Sequence, residues 1–177
     1  MTDEELIKGC IEGNRVAQKA LYDRYSSKMM GVCLRYSNNY DDACDILQDG
    51  FIKIFEKLDS YKMHGSFEGW IRRIFVNTAL DHIRKTKNLK QMLEVESVDY
   101  LLPQKDGIVS ALAAKDLMKI LSEIPIGYRT VFNMYAIEGY SHKEIAKELG
   151  ISVNTSKSQY SRAKGFLREI VDKQDLK

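Results

Sequence analysis

The sequence predicts an all-α fold with two small helical domains joined by a flexible linker. Apolar residues recur at helical spacing along nearly the whole chain, and no segment alternates as a strand does. The chain of 177 residues is long enough for two small domains, and its two prolines and 11 glycines are too few for a turn-rich all-β protein. The pattern fades over residues 89–110, so we predict domains over residues 1–88 and 111–177 with a linker between them.

The N-terminal domain is predicted to contain four helices. Thr2 and Glu5 have the spacing of a capping box, which predicts a first helix that ends near Ile11. Apolar stripes and polar breaks predict three further helices, over residues 15–36, 41–58 and 67–86.

The C-terminal domain is predicted to end in a helix-turn-helix. Helices over residues 111–122 and 128–138 precede two short helices separated by residues 149–152. Ser141 and Glu144 form a capping box, Gly150 permits the turn, and Ser152 caps the second helix. That helix should expose a set of donors and cations suited to phosphates and base edges: Asn154, Thr155, Lys157, Ser158, Ser161 and Arg162. An ordinary αα-hairpin is the alternative.

The net charge of only +2 hides a strong segregation of charge along the chain. Residues 38–59 hold six acids and two lysines, a local charge of −4. Residues 66–90 carry +4, and residues 152–168 carry +4 with no acid at all. Two basic surfaces on separate domains indicate two contacts with an extended polyanion, although a single charged stretch is usually a solvated helix face.

One face of the third predicted helix has the character of a docking surface. Asp45, Gln48, Asp49 and Ile52 are spaced so that they share one side of the helix, opposite its apolar stripe. An acidic face with one exposed apolar residue fits a basic partner, and a plain solvated face is the alternative.

The fourth helix and the loop before it suit an unstacked nucleotide. The loop mixes aromatic, basic and small residues, among them Tyr61, Lys62, His64 and Ser66. Asn77 interrupts an apolar run on the helix, either as a buried amide or as a base-reading group. The helix also carries three arginines, Arg72, Arg73 and Arg84.

Several classes of protein are disfavoured by the sequence. No apolar run approaches the roughly 18 residues of a membrane span, and the acidic start is unlike a signal peptide. The three cysteines are scattered, which suits a reducing cytoplasm. We find no spacing of a metal site, no nucleophile–base pattern and no phosphate loop, and therefore predict no cofactor, no metal, no small-molecule substrate and no enzyme activity.

Three stretches of the chain resemble conserved regions of bacterial sigma-70-type factors. Residues 40–51 and 67–81 are similar to region 2, and residues 140–164 are similar to region 4. Regions 2 and 4 alone, joined by a short linker, are the layout of the extracytoplasmic-function (ECF) subgroup. The chain departs from the pattern at Ser156, where valine is common, and at Gln159, where arginine is common.

The resemblance implies a promoter-specificity subunit of RNA polymerase with three surfaces. The face with Asp45 would dock on the β′ clamp helices of the polymerase core, and region 4 would contact the β flap. The loop before the fourth helix, with Asn77 and the three arginines, would take a flipped-out base of the −10 element and assist melting. The helix with Lys157 and its neighbours would read the −35 element of promoter DNA, and an anti-sigma factor would hold the free protein inactive.

Two other functions stay open at this stage. A helix-turn-helix regulator that binds duplex DNA without the polymerase would use the C-terminal domain and leave the acidic face unused. A helical adaptor that binds no DNA, or a decoy that binds an anti-sigma factor, would keep its function when Arg162 is replaced by alanine.

Overall fold

The computed structural model describes residues 1–86, 93 and 114–175. Its contacts divide the chain into two compact units, an N-terminal unit over Met1–Lys85 and a C-terminal unit over Thr86–Lys177. The described residues are helical, without strands, as the sequence predicts. The predicted linker lies outside the described residues except for Leu93, so the domain limits remain predictions.

The N-terminal unit contains four α-helices whose ends lie within one residue of the predicted ones. A short 3₁₀ turn, Leu58–Ser60, follows the third helix. The helices are α1 (Asp3–Ile11), α2 (Arg15–Arg35), α3 (Tyr40–Lys57) and α4 (Phe67–Thr86).

Side-chain caps explain why these helices begin where they do. Thr2 Oγ1 accepts from the Glu5 amide, and the Glu5 carboxylate accepts from the Thr2 amide, so the predicted capping box is confirmed. Asn14 and Asn39 accept hydrogen bonds from the first-turn amides of α2 and α3. Each cap satisfies amides that the helix itself leaves without partners.

The core of the N-terminal unit is built from apolar stripes on the four helices. The predicted stripe of α2 is buried throughout, from Leu21 to Tyr36. Gly50 of α3 lies against the ring of Phe75 of α4, so closely that a Cβ at this position would overlap the ring. This close approach fixes how α3 packs on α4 and leaves the acidic side of α3 turned away from the core.

The C-terminal unit also contains four α-helices among its described residues. A π-helical turn, Asn133–Ile137, follows the second of them. The helices are α5 (Ala114–Glu123), α6 (Ile126–Phe132), α7 (His142–Leu149) and α8 (Val153–Asp175). The predicted start of α5 at residue 111 lies outside the described residues.

The helix α8 is much longer than the short helix that the sequence predicts. It runs for 23 residues, because its buried stripe continues past the turn. Ser156, Gln159, Ala163 and Leu167 recur at helical spacing and are all buried. Ala163 and Leu167 pack in one core with residues of α5 and α6, including Ile120 and Phe132.

Among the described residues, no helix has the length and apolar character needed to cross a membrane. All three cysteines are free thiols, and Cys10 and Cys33 are buried. Burial raises the pKa of the Cys33 thiol to about 12, which keeps it protonated and unreactive at neutral pH.

Candidate nucleic-acid interface

The helix-turn-helix of the C-terminal unit is formed by α7 and α8 as predicted. Ser141 Oγ accepts from the Glu144 amide, and the Glu144 carboxylate accepts from the Ser141 amide, which fixes the start of α7. Gly150 ends α7 with a φ of 65°, in the left-handed region that favours glycine. Ser152 Oγ then accepts from the Thr155 amide and caps α8. The turn therefore holds two helices in the arrangement that DNA-binding proteins use to place the second in a groove.

The first turns of α8 present a polar, cationic face. Asn154 and Lys157 are exposed, whereas Thr155, Ser158 and Ser161 are half-buried. The remaining predicted residue, Arg162, is half-buried as well and packs against another residue of the C-terminal unit. Its guanidinium donates to the hydroxyl of Tyr128 at 3.1 Å and lies 5.9 Å from the centre of that ring. Arg162 is thus held at the flank of the face.

His142 joins the two helices of the motif. Its Nδ1 lies 2.9 Å from the hydroxyl oxygen of Ser156, and its ring stacks on Tyr135 at 4.2 Å between ring centres. Burial, with Lys157 and Lys164 nearby, lowers the pKa of His142 below its ordinary value. The imidazole is therefore neutral at physiological pH and serves as a packing and hydrogen-bonding group.

The two departures from the sigma-70 pattern are interior residues. Ser156 and Gln159 both have no exposed surface, so neither side chain is available to DNA. Ser156 bonds to His142, and Gln159 Nε2 donates to the backbone oxygen of Leu93 at 2.7 Å. The sequence signal for their burial is their helical spacing with Ala163 and Leu167, which are also buried.

The acidic face of the N-terminal unit is exposed as predicted. Asp45, Gln48 and Asp49 lie on the outer side of α3, and Ile52 is 54% exposed beside them. Exposing an isoleucine to water costs free energy that burial against a partner would recover. The combination of carboxylates and one apolar residue is suited to a basic partner.

The loop before α4 is tightly organised. The hydroxyl of Tyr61 donates to the backbone oxygen of Gly65 at 3.0 Å, and its ring packs against those of Phe67 and Trp70 at 5.2 and 5.3 Å. Trp70 is half-buried in this aromatic cluster. These contacts fix the two ends of the loop and hold its middle outward.

The middle of the loop presents both polar and apolar groups. Lys62 and His64 are exposed, and Ser66 is exposed while it caps α4 by accepting from the Gly69 amide. Between them, Met63 is 48% exposed and adopts a φ of 56°, which is rare for a residue other than glycine. The sequence does not mark Met63 as special, because backbone strain leaves no signal in residue periodicity.

The polar side of α4 continues from this loop. Arg73 and Asn77 are exposed, so the interpretation of Asn77 as a buried amide is wrong. Arg72 is half-buried, and Arg84 donates to Asp81 at 3.1 Å. We treat the loop and the exposed side of α4 as one candidate surface of the N-terminal unit, which adjoins α3 where Asp81 pairs with Lys53 at 3.2 Å.

Family comparisons agree with this division into two functional units. Residues 21–89 match the family described as Sigma-70 region 2, and residues 114–167 match Sigma-70, region 4. The chain is 29% identical to the ECF RNA polymerase sigma factor SigW of Bacillus subtilis, with 96% of each chain covered. It is 30% identical to RNA polymerase sigma factor SigV of the same organism, over 80% of this chain and 82% of that one.

A solved structure shares the fold at low sequence identity. This is the sigma factor RpoE of Bartonella quintana in complex with the anti-sigma factor NepR, with a TM-score of 0.54 and 23% identity over 87% of this chain and 96% of that one. The paired regions define a sigma-70-type factor. The chain belongs to the ECF group of these factors and directs promoter-specific initiation of transcription.

Proposed function

We propose that this sigma factor works through three surfaces, one for the polymerase and two for the promoter. The observation that carries the proposal is the exposed face of α8. It begins at a capped helix-turn-helix and lies in a stretch, residues 151–168, that contains no acid. The predicted limits of the two domains, residues 1–88 and 111–177, with the linker over 89–110, are part of the proposal.

The acidic face of α3 would bind the polymerase core. Asp45 and Asp49 would supply charge for basic residues of the β′ clamp helices, and Ile52 would supply an apolar contact beside them. Charge complementarity of this kind raises the association rate and selects the partner, while the buried apolar residue contributes affinity. The C-terminal unit would contact the β flap.

The surface of the loop and α4 would act on the −10 element. An unstacked base needs an aromatic or apolar wall and polar groups at its edge. Met63 offers the apolar wall, Asn77 offers an amide for the base edge, and Arg73 offers charge for the backbone. Trapping the base offsets the few kcal/mol that unstacking costs, which assists melting.

The first turns of α8 would read the −35 element as duplex DNA. Asn154 and Lys157 lie outermost, with Ser158 and Ser161 on the same side of the helix. Amide and hydroxyl groups suit base edges, and the lysine suits a phosphate. Arg162 joins this contact from the flank, where Tyr128 holds it.

We also propose where the protein acts and which protein regulates it. The factor would work in the cytoplasm beside the polymerase, with no catalytic step, cofactor or small-molecule substrate of its own. We also infer an anti-sigma partner, because the RpoE structure is a complex with such a factor and the two chains share a fold.

Reconstitution tests the proposal directly. Purified protein is mixed with core RNA polymerase and a promoter that carries −35 and −10 elements, and core binding and run-off transcription are measured. We expect a stable complex and initiation where the core alone is silent. Binding to the −35 duplex without binding to the core would instead identify a helix-turn-helix regulator.

A matched pair of variants locates the docking surface. Asp49→Ala and Glu12→Ala each remove one exposed carboxylate from the N-terminal unit, but only the first lies on the face of α3. We expect Asp49→Ala to weaken core binding by about tenfold and Glu12→Ala to leave it unchanged. Equal effects of the two variants on core binding would show that binding depends on the net charge of the protein and not on the face of α3.

A further inference from the structure

Val153 is an exposed apolar residue at the start of the second helix of the helix-turn-helix. It is 38% exposed, and among the described residues of α8 it is the one large apolar side chain that lies open to solvent. Ile151, in the turn just before, is half-buried and belongs to the packing of the motif. A single exposed valine is ordinary on a protein surface, so the significance of Val153 depends on where it lies.

The neighbours of Val153 are residues proposed above to contact DNA. Asn154 follows it along the chain, and Lys157 lies one helical turn further on the same side, and both are exposed. Val153 is the first residue of α8, directly after the capping residue Ser152. In helix-turn-helix proteins, the N-terminal residues of the second helix meet the base edges in the major groove. Val153 therefore occupies a position from which a side chain can reach a base.

The chemistry of valine restricts what it can read there. Its side chain neither donates nor accepts a hydrogen bond, so it can recognise only an apolar group on a base edge. In the major groove that group is the 5-methyl group of thymine, which cytosine lacks. Valine is also β-branched, and in a helix it has one strongly preferred rotamer, so its methyl groups are held in a fixed direction before DNA binds.

We propose that Val153 reads a thymine of the −35 element through the 5-methyl group of the base. The inference rests on the proposed function, in which the first turns of α8 enter the major groove of the −35 element. Asn154 and Lys157 then supply a hydrogen bond and a charge, and Val153 supplies the preference for thymine over a pyrimidine without the methyl group. Burial of one methyl group against the valine strengthens binding by about fourfold.

Selection from two pools of duplex DNA tests this role. Holoenzyme, formed from the full-length protein and core polymerase, selects from copies of the reconstitution promoter in which the −35 element is randomised. The −35 element contains thymine in one pool and uracil in the other, and these bases differ only in the 5-methyl group. We expect the wild type to enrich thymine at one position about fourfold more strongly than it enriches uracil at the same position.

Three variants show whether the difference between the pools depends on this side chain. Val153→Ala removes the two methyl groups, keeps a good helix former, and should reduce the difference at that position to less than about 1.5-fold. Val153→Ile keeps a β-branched apolar side chain and should retain the difference. Val16→Ala is the matched control, because Val16 is a valine in the first turn of α2 that is 69% exposed, and the variant should behave as the wild type.

The proposal is overturned if the wild type enriches thymine and uracil equally at every −35 position. It is also overturned if Val153→Ala keeps the wild-type difference, or if this variant loses base preference at all −35 positions together, since the residue would then only support the fold. If the wild-type holoenzyme leaves both pools random, the reading of the −35 element by α8 fails, and the role of Val153 fails with it.

Discussion

The imidazole of His142 and the hydroxyl of Ser156 lie 2.9 Å apart and connect the two helices of the DNA-binding motif. His142 is the first residue of α7, and Ser156 is a buried residue in the first turns of α8. The ring also stacks on Tyr135, which comes from the π-helical turn before the motif. The orientation of α8 therefore depends on a side chain that can change its charge.

We predict that the stability of the C-terminal unit falls on the acid side because of His142. Burial, with Lys157 and Lys164, depresses the pKa of His142 in the folded protein. A depressed pKa means that the contribution of the neutral ring is fully present above the ordinary value, about 6.5. It is lost as the pH falls through the lower, folded value. His142→Phe should keep the stacking, lose about 1 kcal/mol at neutral pH and show a weaker decline in acid.

Calorimetry between pH 8 and pH 5 checks this prediction. The fluorescence of Trp70, the single tryptophan of the chain, follows the N-terminal unit separately and serves as an internal reference. If the stability of the C-terminal unit falls equally at acid pH in His142→Phe and in the wild type, groups other than His142 cause the fall.

A pair of glycine substitutions tests the packing of α3 on α4. Gly50→Ala places a Cβ inside the ring of Phe75 and should destabilise the N-terminal unit by about 1–3 kcal/mol. Gly31→Ala on α2 meets nothing within 4 Å and should stabilise the unit by about 0.5–1 kcal/mol, since alanine favours the helix. Urea unfolding followed by Trp70 fluorescence measures both, and a similar change in the two variants would contradict the close contact.

The sequence predicts those features that depend on neighbouring residues. The capping boxes at Thr2 and Ser141 and the left-handed turn at Gly150 were all predicted, because each is determined within a few positions of the chain. The stripe of α2 was predicted for the same reason. Helix caps, turns and apolar stripes can be predicted because they depend on residue type and spacing.

Contacts between distant positions could not be predicted from spacing. The bond from Gln159 to Leu93 joins residues 66 positions apart, and the bond from Arg162 to Tyr128 joins residues 34 apart. Periodicity shows which side of a helix is apolar but not which segment covers it. For this reason spacing alone predicts Arg162 to be exposed and Leu93 to belong to the linker.

Lys157 should account for about one phosphate contact in the −35 complex. It is exposed at the start of α8, so Lys157→Ala should weaken binding to all sequences alike and reduce the salt slope of the binding constant by about 1. Lys173→Ala removes an exposed lysine from the last turn of the same helix and should leave the slope unchanged. Titrations of a −35 duplex at several salt concentrations measure the slopes, and equal slopes for the two variants would refute the assignment.

Asn77→Ala should impair promoter melting and leave the −35 contact intact. Because Asn77 is exposed, its loss should change the stability of the N-terminal unit by no more than about 0.5 kcal/mol. Any larger effect on melting then reflects a lost contact with the unstacked base, which should slow open-complex formation by about tenfold. Permanganate footprinting of the −10 element measures opening, and binding of the −35 duplex is measured in parallel. Thr78→Val, at the neighbouring buried position, is the control for a structural effect, since the Thr78 hydroxyl donates within α4, to the Ile74 oxygen at 2.8 Å. If Asn77→Ala reduces opening and duplex binding equally, or if opening is unchanged, Asn77 does not read the base.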